Sequence, residues 1–313
     1  MSGNVAVAER VGAGRRVPHG DRDRYRAAMP DDHAELPPVD RAAFAGRYGP
    51  HALVAGGASG IGAEYCRQIA ATGIDLVILD RDESGLDAIA GEVRSAPDAV
   101  DVVTAVVDLG QPPERLLDVV RRAVGDVEIG LLVANAAWAP VGRFLDSDLA
   151  ALLAAIDINC RAPVVLVHEL GTRMAARRRG GIIVMSSLAA ETGTANVALY
   201  SATKAFDLVL AEGLWYELRD RGVDVVAIRP GSTRTPGWQS SQPASGELGG
   251  VMEPAEVVRE ALAALGTTPS IAAGAANRAA EAMFRSMARR DVIELMSGIT
   301  SRLVPPDVPD RYL

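Results

Sequence analysis

The run His51-Ala52-Leu53-Val54-Ala55 leads straight into Gly56-Gly57-Ala58-Ser59-Gly60-Ile61-Gly62, and this junction narrows the available folds more than any other stretch. The first five residues suit a strand buried on both faces. Gly56, Gly60 and Gly62 are spaced G-x-x-x-G-x-G, and a helical run follows from Ala63 to about Thr72. Glycines let backbone come close to a pyrophosphate, and the helix N-terminus behind them supplies free N–H groups and positive potential. A plain tight turn between strand and helix is the competing explanation, and three glycines so placed weigh against it.

The rest of the chain repeats the strand–helix alternation. Leu76–Leu79 reads as the second strand, closing on Asp80, which falls 18 residues after Gly62. A carboxylate there can accept hydrogen bonds from an adenosine ribose, and it repels a 2′-phosphate, which favours NAD. Arg81 next door could hold that phosphate, so NADP stays open, and a helix N-cap is a further role for Asp80. A helix over 83–95, a strand over 102–107 and a helix over 113–124 follow. Asp108 and Leu109 end that third strand, where Asp108 could meet an adenine edge or merely cap a turn. The strand over 129–133 runs out through Ala134-Asn135-Ala136-Ala137, small enough to pass under a ligand. One long apolar helix spans 149–177 and contains Asn159, whose amide can disrupt the helical ladder or hold a water. A fifth strand, 181–185, ends in Ser186-Ser187. A sixth, 223–228, leads to Pro230-Gly231-Ser232-Thr233-Arg234-Thr235. A helix over 254–265, a short strand near 270–273 and helices over 275–289 and 291–297 complete the expected order. This alternation predicts an α/β fold, a doubly wound parallel sheet with helices on both faces.

Tyr200 and Lys204 lie four apart in Leu199-Tyr200-Ser201-Ala202-Thr203-Lys204, so a helix carries them on one face. An ammonium beside a phenol favours the phenolate and suits proton exchange with an alcohol or carbonyl. Ser187 stands thirteen residues upstream, at the carboxyl end of a strand, where open α/β sheets bind ligands.

Together these residues resemble a classical short-chain dehydrogenase/reductase from about Pro50 to Ala273. The resemblance rests on the Gly56–Gly62 turn, Asp80, Asn135, Asn159, Ser187, Tyr200, Lys204 and the Pro230-Gly231…Thr235 segment. It implies a seven-stranded Rossmann sheet and an NAD(P)-dependent oxidoreductase. Tyr200 would be the general acid/base, and Lys204 would hold the nicotinamide ribose. Ser187 would hydrogen-bond the substrate oxygen, and Asn159 would hold a water in a proton relay from Lys204. Cofactor contacts would come from Gly56, Ala58, Ser59, Gly60, Ile61 and Gly62, then from Asp80, Arg81, Asp108 and Leu109. Asn135, Ala136, Ala137, Pro230, Gly231, Thr233 and Thr235 would serve the nicotinamide half. Ala55, Ala134 and Ala137 depart from the family pattern, which usually has Thr, Asn and Gly there. The Arg47–Pro50 lead-in and the helical C-terminus resemble bacterial members acting on lipophilic ketones or alcohols.

Trp138, Leu188 and Trp238, with Ser187, are the expected substrate contacts, and Phe144 and Trp215 add to an apolar character. Residues 237–250 are rich in Gly, Ser, Gln and Pro and read as a lid. Residues 1–47 read as an extension, disordered or touching another subunit, with a short helix around 40–48; 48–274 form the domain and 275–313 a helical tail. The net charge of −8 argues against nucleic acid and anionic membrane. No uninterrupted apolar run of about 18 residues occurs, so no spanning helix is expected. Cys66 and Cys160 lack metal-ligand spacing and suit a reducing cytoplasm, so no metal is expected. A homodimer or homotetramer, pairing through the helices of Asn159 and Tyr200, follows from the resemblance. Redox-neutral dehydration or isomerisation, and a nicotinamide-binding sensor without turnover, are the alternatives to a dehydrogenase.

Overall fold

In the computed structural model, which describes residues 38–237 and 250–301, the aliphatic runs form seven strands. They are β1 (His51–Ala55), β2 (Asp75–Asp80), β3 (Val102–Val106), β4 (Ile129–Ala134), β5 (Gly180–Met185), β6 (Val223–Arg229) and β7 (Ser270–Ala272). All pair in parallel, in the order β3-β2-β1-β4-β5-β6-β7. The chain winds outward from β1 to β3, then returns to β4 on the other side of β1. That reversal opens a crevice at the carboxyl ends of β1 and β4, where such sheets bind ligands.

Two helical layers cover the sheet because strand side chains alternate between its faces. One layer is α1 (Arg41–Tyr48), α2 (Gly60–Ala70), α3 (Glu83–Arg94) and α8 (Pro254–Ala264). There Tyr65, Ile69 and Leu86 pack on Val54, Ile78 and Val133. The other layer is α4 (Pro113–Val124), α6 (Ala162–Arg177) and α7 (Ala198–Arg219), where Leu116, Leu166 and Met174 pack on Leu53, Leu79 and Leu132. Helices α9 (Ala275–Ser286) and α10 (Arg289–Thr300) follow β7.

The folded part starts before residue 48, ahead of the boundary that the sequence suggests. Asp40 caps α1 through the Ala43 N–H at 3.1 Å, and Phe44 and Tyr48 are buried in the core. Tyr48 Oη donates to Asp224 at 2.8 Å. Its ring lies where a Cβ on Gly181 would come within 2.8 Å of it, so glycine at the start of β5 makes room for α1.

The long apolar helix is not continuous. α5 (Leu149–Ile156) passes into a π turn, Asp157–Arg161, before α6 begins. By length and composition alone, the 29-residue segment Leu149–Arg177 could cross a membrane, with an 18-residue window of mean hydropathy 1.7, against the expectation that no helix would be apolar enough. In the fold, its α6 portion instead buries Leu166, Leu170 and Met174 against the sheet. Among the described residues no group of three or more His, Cys, Asp or Glu could hold a metal ion.

Candidate active site

The glycine turn closes so tightly that side chains would not fit. A Cβ on Gly62 would lie 1.8 Å from the Gly56 carbonyl oxygen, and one on Gly56, at φ 80°, 2.6 Å from Ala136 Cα. Asn135 Nδ2 donates to that Gly56 oxygen at 2.8 Å, and the Ala136 N–H donates to Ala55 O at 2.9 Å. The ends of β1 and β4 are thereby locked together even though Ala55 and Ala134 lack the polar side chains usual in the family. Ser59, the N-cap of α2, makes no side-chain cap bond, so the first-turn N–H groups of that helix are not taken up by it. Thr235 stands against the turn: a Cβ on Gly60 would lie 3.0 Å from its Cγ2. This backbone cradle fits a dinucleotide pyrophosphate.

Asp80 braces the cradle from β2. Its Oδ2 accepts from the Ala58 N–H at 3.0 Å, and its Oδ1 from the N–H groups of Arg81 and Asp82 at 2.7 and 3.1 Å. A carboxylate has about four acceptor positions, so Asp80 keeps capacity for a ribose hydroxyl. It is Asp82, not Asp80, that caps α3. The Arg81 residue is exposed. Asp108 Oδ1 accepts from the Gly110 N–H at 2.9 Å, a turn-forming bond, and Leu109 is buried.

On α7, Tyr200 and Lys204 share a face as the spacing predicts, with Lys204 Nζ 6.0 Å from the centre of the Tyr200 ring. Lys204 donates to Met185 O at 2.7 Å, at the end of β5, and to Asp207 Oδ2 at 2.9 Å. Ser186 Oγ donates to Lys204 O at 2.7 Å. The next residue, Ser187, begins the short 3-10 turn Leu188–Glu191; its Oγ accepts from Ala189 N–H at 3.1 Å and reaches Pro230 O at 3.5 Å. Asn159 is wholly buried in the π turn. Its Oδ1 accepts from Trp138 N–H at 2.8 Å, while its Nδ2 donates to Trp138 O at 2.8 Å and Thr203 Oγ1 at 3.0 Å. The end of β5, which leads into Ser187, is thus tied to α7 through Lys204, and the π turn is tied to α7 through Asn159 and Thr203.

Around them, the Leu188 N–H donates to Pro230 O at 3.0 Å, and Thr233 Oγ1 donates to Gly231 O at 3.1 Å. Trp138 is 37% exposed, and Phe144 is exposed on the same β4–α5 connection. Trp215 is not at this rim; it packs against the core under α4, α6 and α7. Trp238 and residues 238–249, which include most of the expected lid, lie outside the described residues. A surface hollow of about 590 Å³ lined by Asp75, Arg94, Asp98 and Asp101 sits at the opposite, amino edge of β2 and β3.

Sequence reasoning missed several participants. Asp207 is one, although its i, i+3 spacing from Lys204 is visible in the chain. Arg229 is another: buried at the end of β6, it bonds Glu191 beside Ser187 and, at 2.7 Å, Glu281 of α9. Burial works against the Arg229 charge, and the two carboxylates outweigh it, holding its pKa above the ordinary value. Helix α10 reaches the same loop: Ser297 Oγ accepts from Ala195 N–H at 3.1 Å, and Thr300 Oγ1 donates to Ala195 O at 2.7 Å. Nothing in local sequence pattern links residues about 100 apart.

Comparison with known proteins adds a family. The model of the short chain dehydrogenases matches residues 50–246. A 7beta-hydroxysteroid dehydrogenase of Collinsella aerofaciens is 32% identical over 238 residues, covering 74% of this chain and 89% of that protein. A very-long-chain 3-oxoacyl-CoA reductase of Podospora anserina is 31% identical over 183 residues, 58% of this chain; the chain spans about half of that relative, 54%. Among solved structures, a short-chain dehydrogenase from Sphingobium yanoikuyae in complex with NADPH superposes with a TM-score of 0.63 at 31% identity, covering 84% of this chain and 100% of that one.

Proposed function

The chain belongs to the short-chain dehydrogenase family, and on that premise we propose that it interconverts a secondary alcohol and a ketone on a lipophilic small molecule, with NAD as the preferred dinucleotide. The observation that carries this reading is Lys204 Nζ, 6.0 Å from the centre of the Tyr200 ring and bonded to Met185 O at the end of β5, two residues before Ser187. A nicotinamide dinucleotide, when bound, supplies or accepts the hydride. The Gly56–Gly62 turn, with Ala58, Ser59 and Ile61, would hold its pyrophosphate, and Asp80 its adenosine ribose. Asn135, Ala136, Ala137, Pro230, Gly231, Thr233 and Thr235 would hold the nicotinamide half.

The chain's own residues divide the remaining work. Tyr200 gives its phenolic proton to the substrate oxygen in reduction and takes it back in oxidation. Ser187 Oγ donates a hydrogen bond to that same oxygen and stabilises the charge it develops. Lys204 keeps a positive charge beside the phenol. Asn159 fixes the Trp138 backbone and α7, and its Oδ1 retains one lone pair for a relay water. Exposed Trp138, Phe144 and Leu145 on the β4–α5 connection support an apolar substrate. Exposed Leu149, Leu153, Val164, Phe206 and Val209 on α5, α6 and α7 support pairing of two copies through these helices.

The test is Tyr200→Phe. Turnover of secondary alcohols and ketones, followed by reduced-cofactor absorbance, is expected to fall by at least about 10²-fold, while cofactor affinity is kept. Undiminished turnover in this variant would refute the role given to the phenol. Product formed with no net change in cofactor oxidation would assign the site to dehydration or isomerisation instead.

A further inference from the structure

Lys204 is the only lysine in the 313-residue chain; every other member of its 32 lysines and arginines is arginine. That single ammonium is 3% exposed, and its neighbour Asp207 is 1% exposed. An ammonium has three protons to place. Met185 O takes one at 2.7 Å and Asp207 Oδ2 another at 2.9 Å. Asp207 Oδ1 is buried and accepts no hydrogen bond among the described residues, so Lys204 is the group that compensates this carboxylate. Two further titratable groups act on the amine. Tyr200 does so from the same helix, and Cys160 from the π turn. Burial pushes the Cys160 thiol up to about 11, with Asp207 acting in the same direction, so it is uncharged near neutral pH.

We propose that Asp207 is the positioning residue of Lys204: its enclosed carboxylate keeps the amine protonated in a fully buried place and, with Met185 O, fixes two of its protons so that the third serves the Tyr200 side. An amine taken out of water without a partner loses its proton, because desolvation disfavours the charged form. Here burial works against the charge of Lys204, and the attraction of Asp207, followed by that of Tyr200, overcomes it. The field that makes Tyr200 a usable proton donor would then depend on a residue that touches neither substrate nor cofactor. This inference rests on the roles proposed above for Tyr200 and Lys204, but its test needs no turnover.

With one lysine present, protein labelled with ¹³C- and ¹⁵N-lysine yields one side-chain signal, and its Cε shift against pH reports the protonation of Lys204 directly. In the unaltered protein the ammonium form is expected to persist beyond pH 10.5, the ordinary lysine value. In Asp207→Asn the half-titration is expected about two or more units lower, with recovery in Asp207→Glu. A lysine that titrates below its ordinary value in the unaltered protein overturns the proposal, whether or not the variant folds. So does a folded Asp207→Asn protein whose lysine stays charged over the same range. The expected lysine titration with no turnover on any substrate would leave this inference standing and count against the dehydrogenase reading alone.

Discussion

At Asp80 one carboxylate serves three backbone N–H groups and is also the group proposed to face the adenosine ribose. These two uses predict different outcomes. Asp80→Ala is expected to reduce the preference for NAD over NADP by about tenfold, since removing a charge near a 2′-phosphate lifts a repulsion of order 1 kcal/mol. The ratio of kcat/KM with the two cofactors measures it; a fall in stability with an unchanged ratio would show a brace and nothing more. The placement of Asp80 and Ser187 at strand ends and of Tyr200 and Lys204 on one helix was legible from the sequence, because local pattern fixes strand ends and helix turns. Asp207 was not. Its partner's second bond is to a carbonyl on β5, 19 residues upstream of Lys204, and only the assembled sheet brings that carbonyl under the helix.

Among the elements, the strand–turn–helix at β1 and α2 was readable almost residue by residue. Its glycines also set a hard steric limit. Gly62→Ala is expected to force the turn open, destabilising the fold by about 1–3 kcal/mol and removing dinucleotide binding. Denaturant midpoint and cofactor titration measure the two effects separately. The helix over 149–177 shows the opposite case. The sequence reads as one long apolar helix with Asn159 able to disrupt its ladder, and the form of that disruption is not legible in it. The break comes from hydrogen bonds to Trp138 and Thr203, which pattern does not encode. Asn159→Leu removes all three, leaves the Trp138 backbone groups without that partner, and is expected to cost about 1–3 kcal/mol by chemical denaturation. A midpoint unchanged from the parent protein would mean that those groups find other partners.

For the whole molecule, the parallel sheet with helices on both faces followed from alternation, and β7 lies near its expected place. What pattern could not supply was the closure of the substrate side by the last helices. Arg229 joins β6, the Ser187–Glu191 turn and α9 through Glu191 and Glu281, and Arg285 of α9 also binds Glu281. Arg229→Met leaves Glu191 without its cation and Glu281 with Arg285 alone, which is expected to cost about 3 kcal/mol. Amide exchange over residues 188–196 is expected to quicken more than over β1 and β2. Equal change in both regions would assign Arg229 to general stability.

The same tie bears on how the protein comes into being. The glycine turn and its Asn135 brace lie in residues 51–136, but Arg229 and Ala195 are fastened by side chains between 281 and 300. A ribosome therefore finishes the glycine turn long before these ties can form. Products that stop short of about residue 300 would lack the bond that Thr300 makes to Ala195.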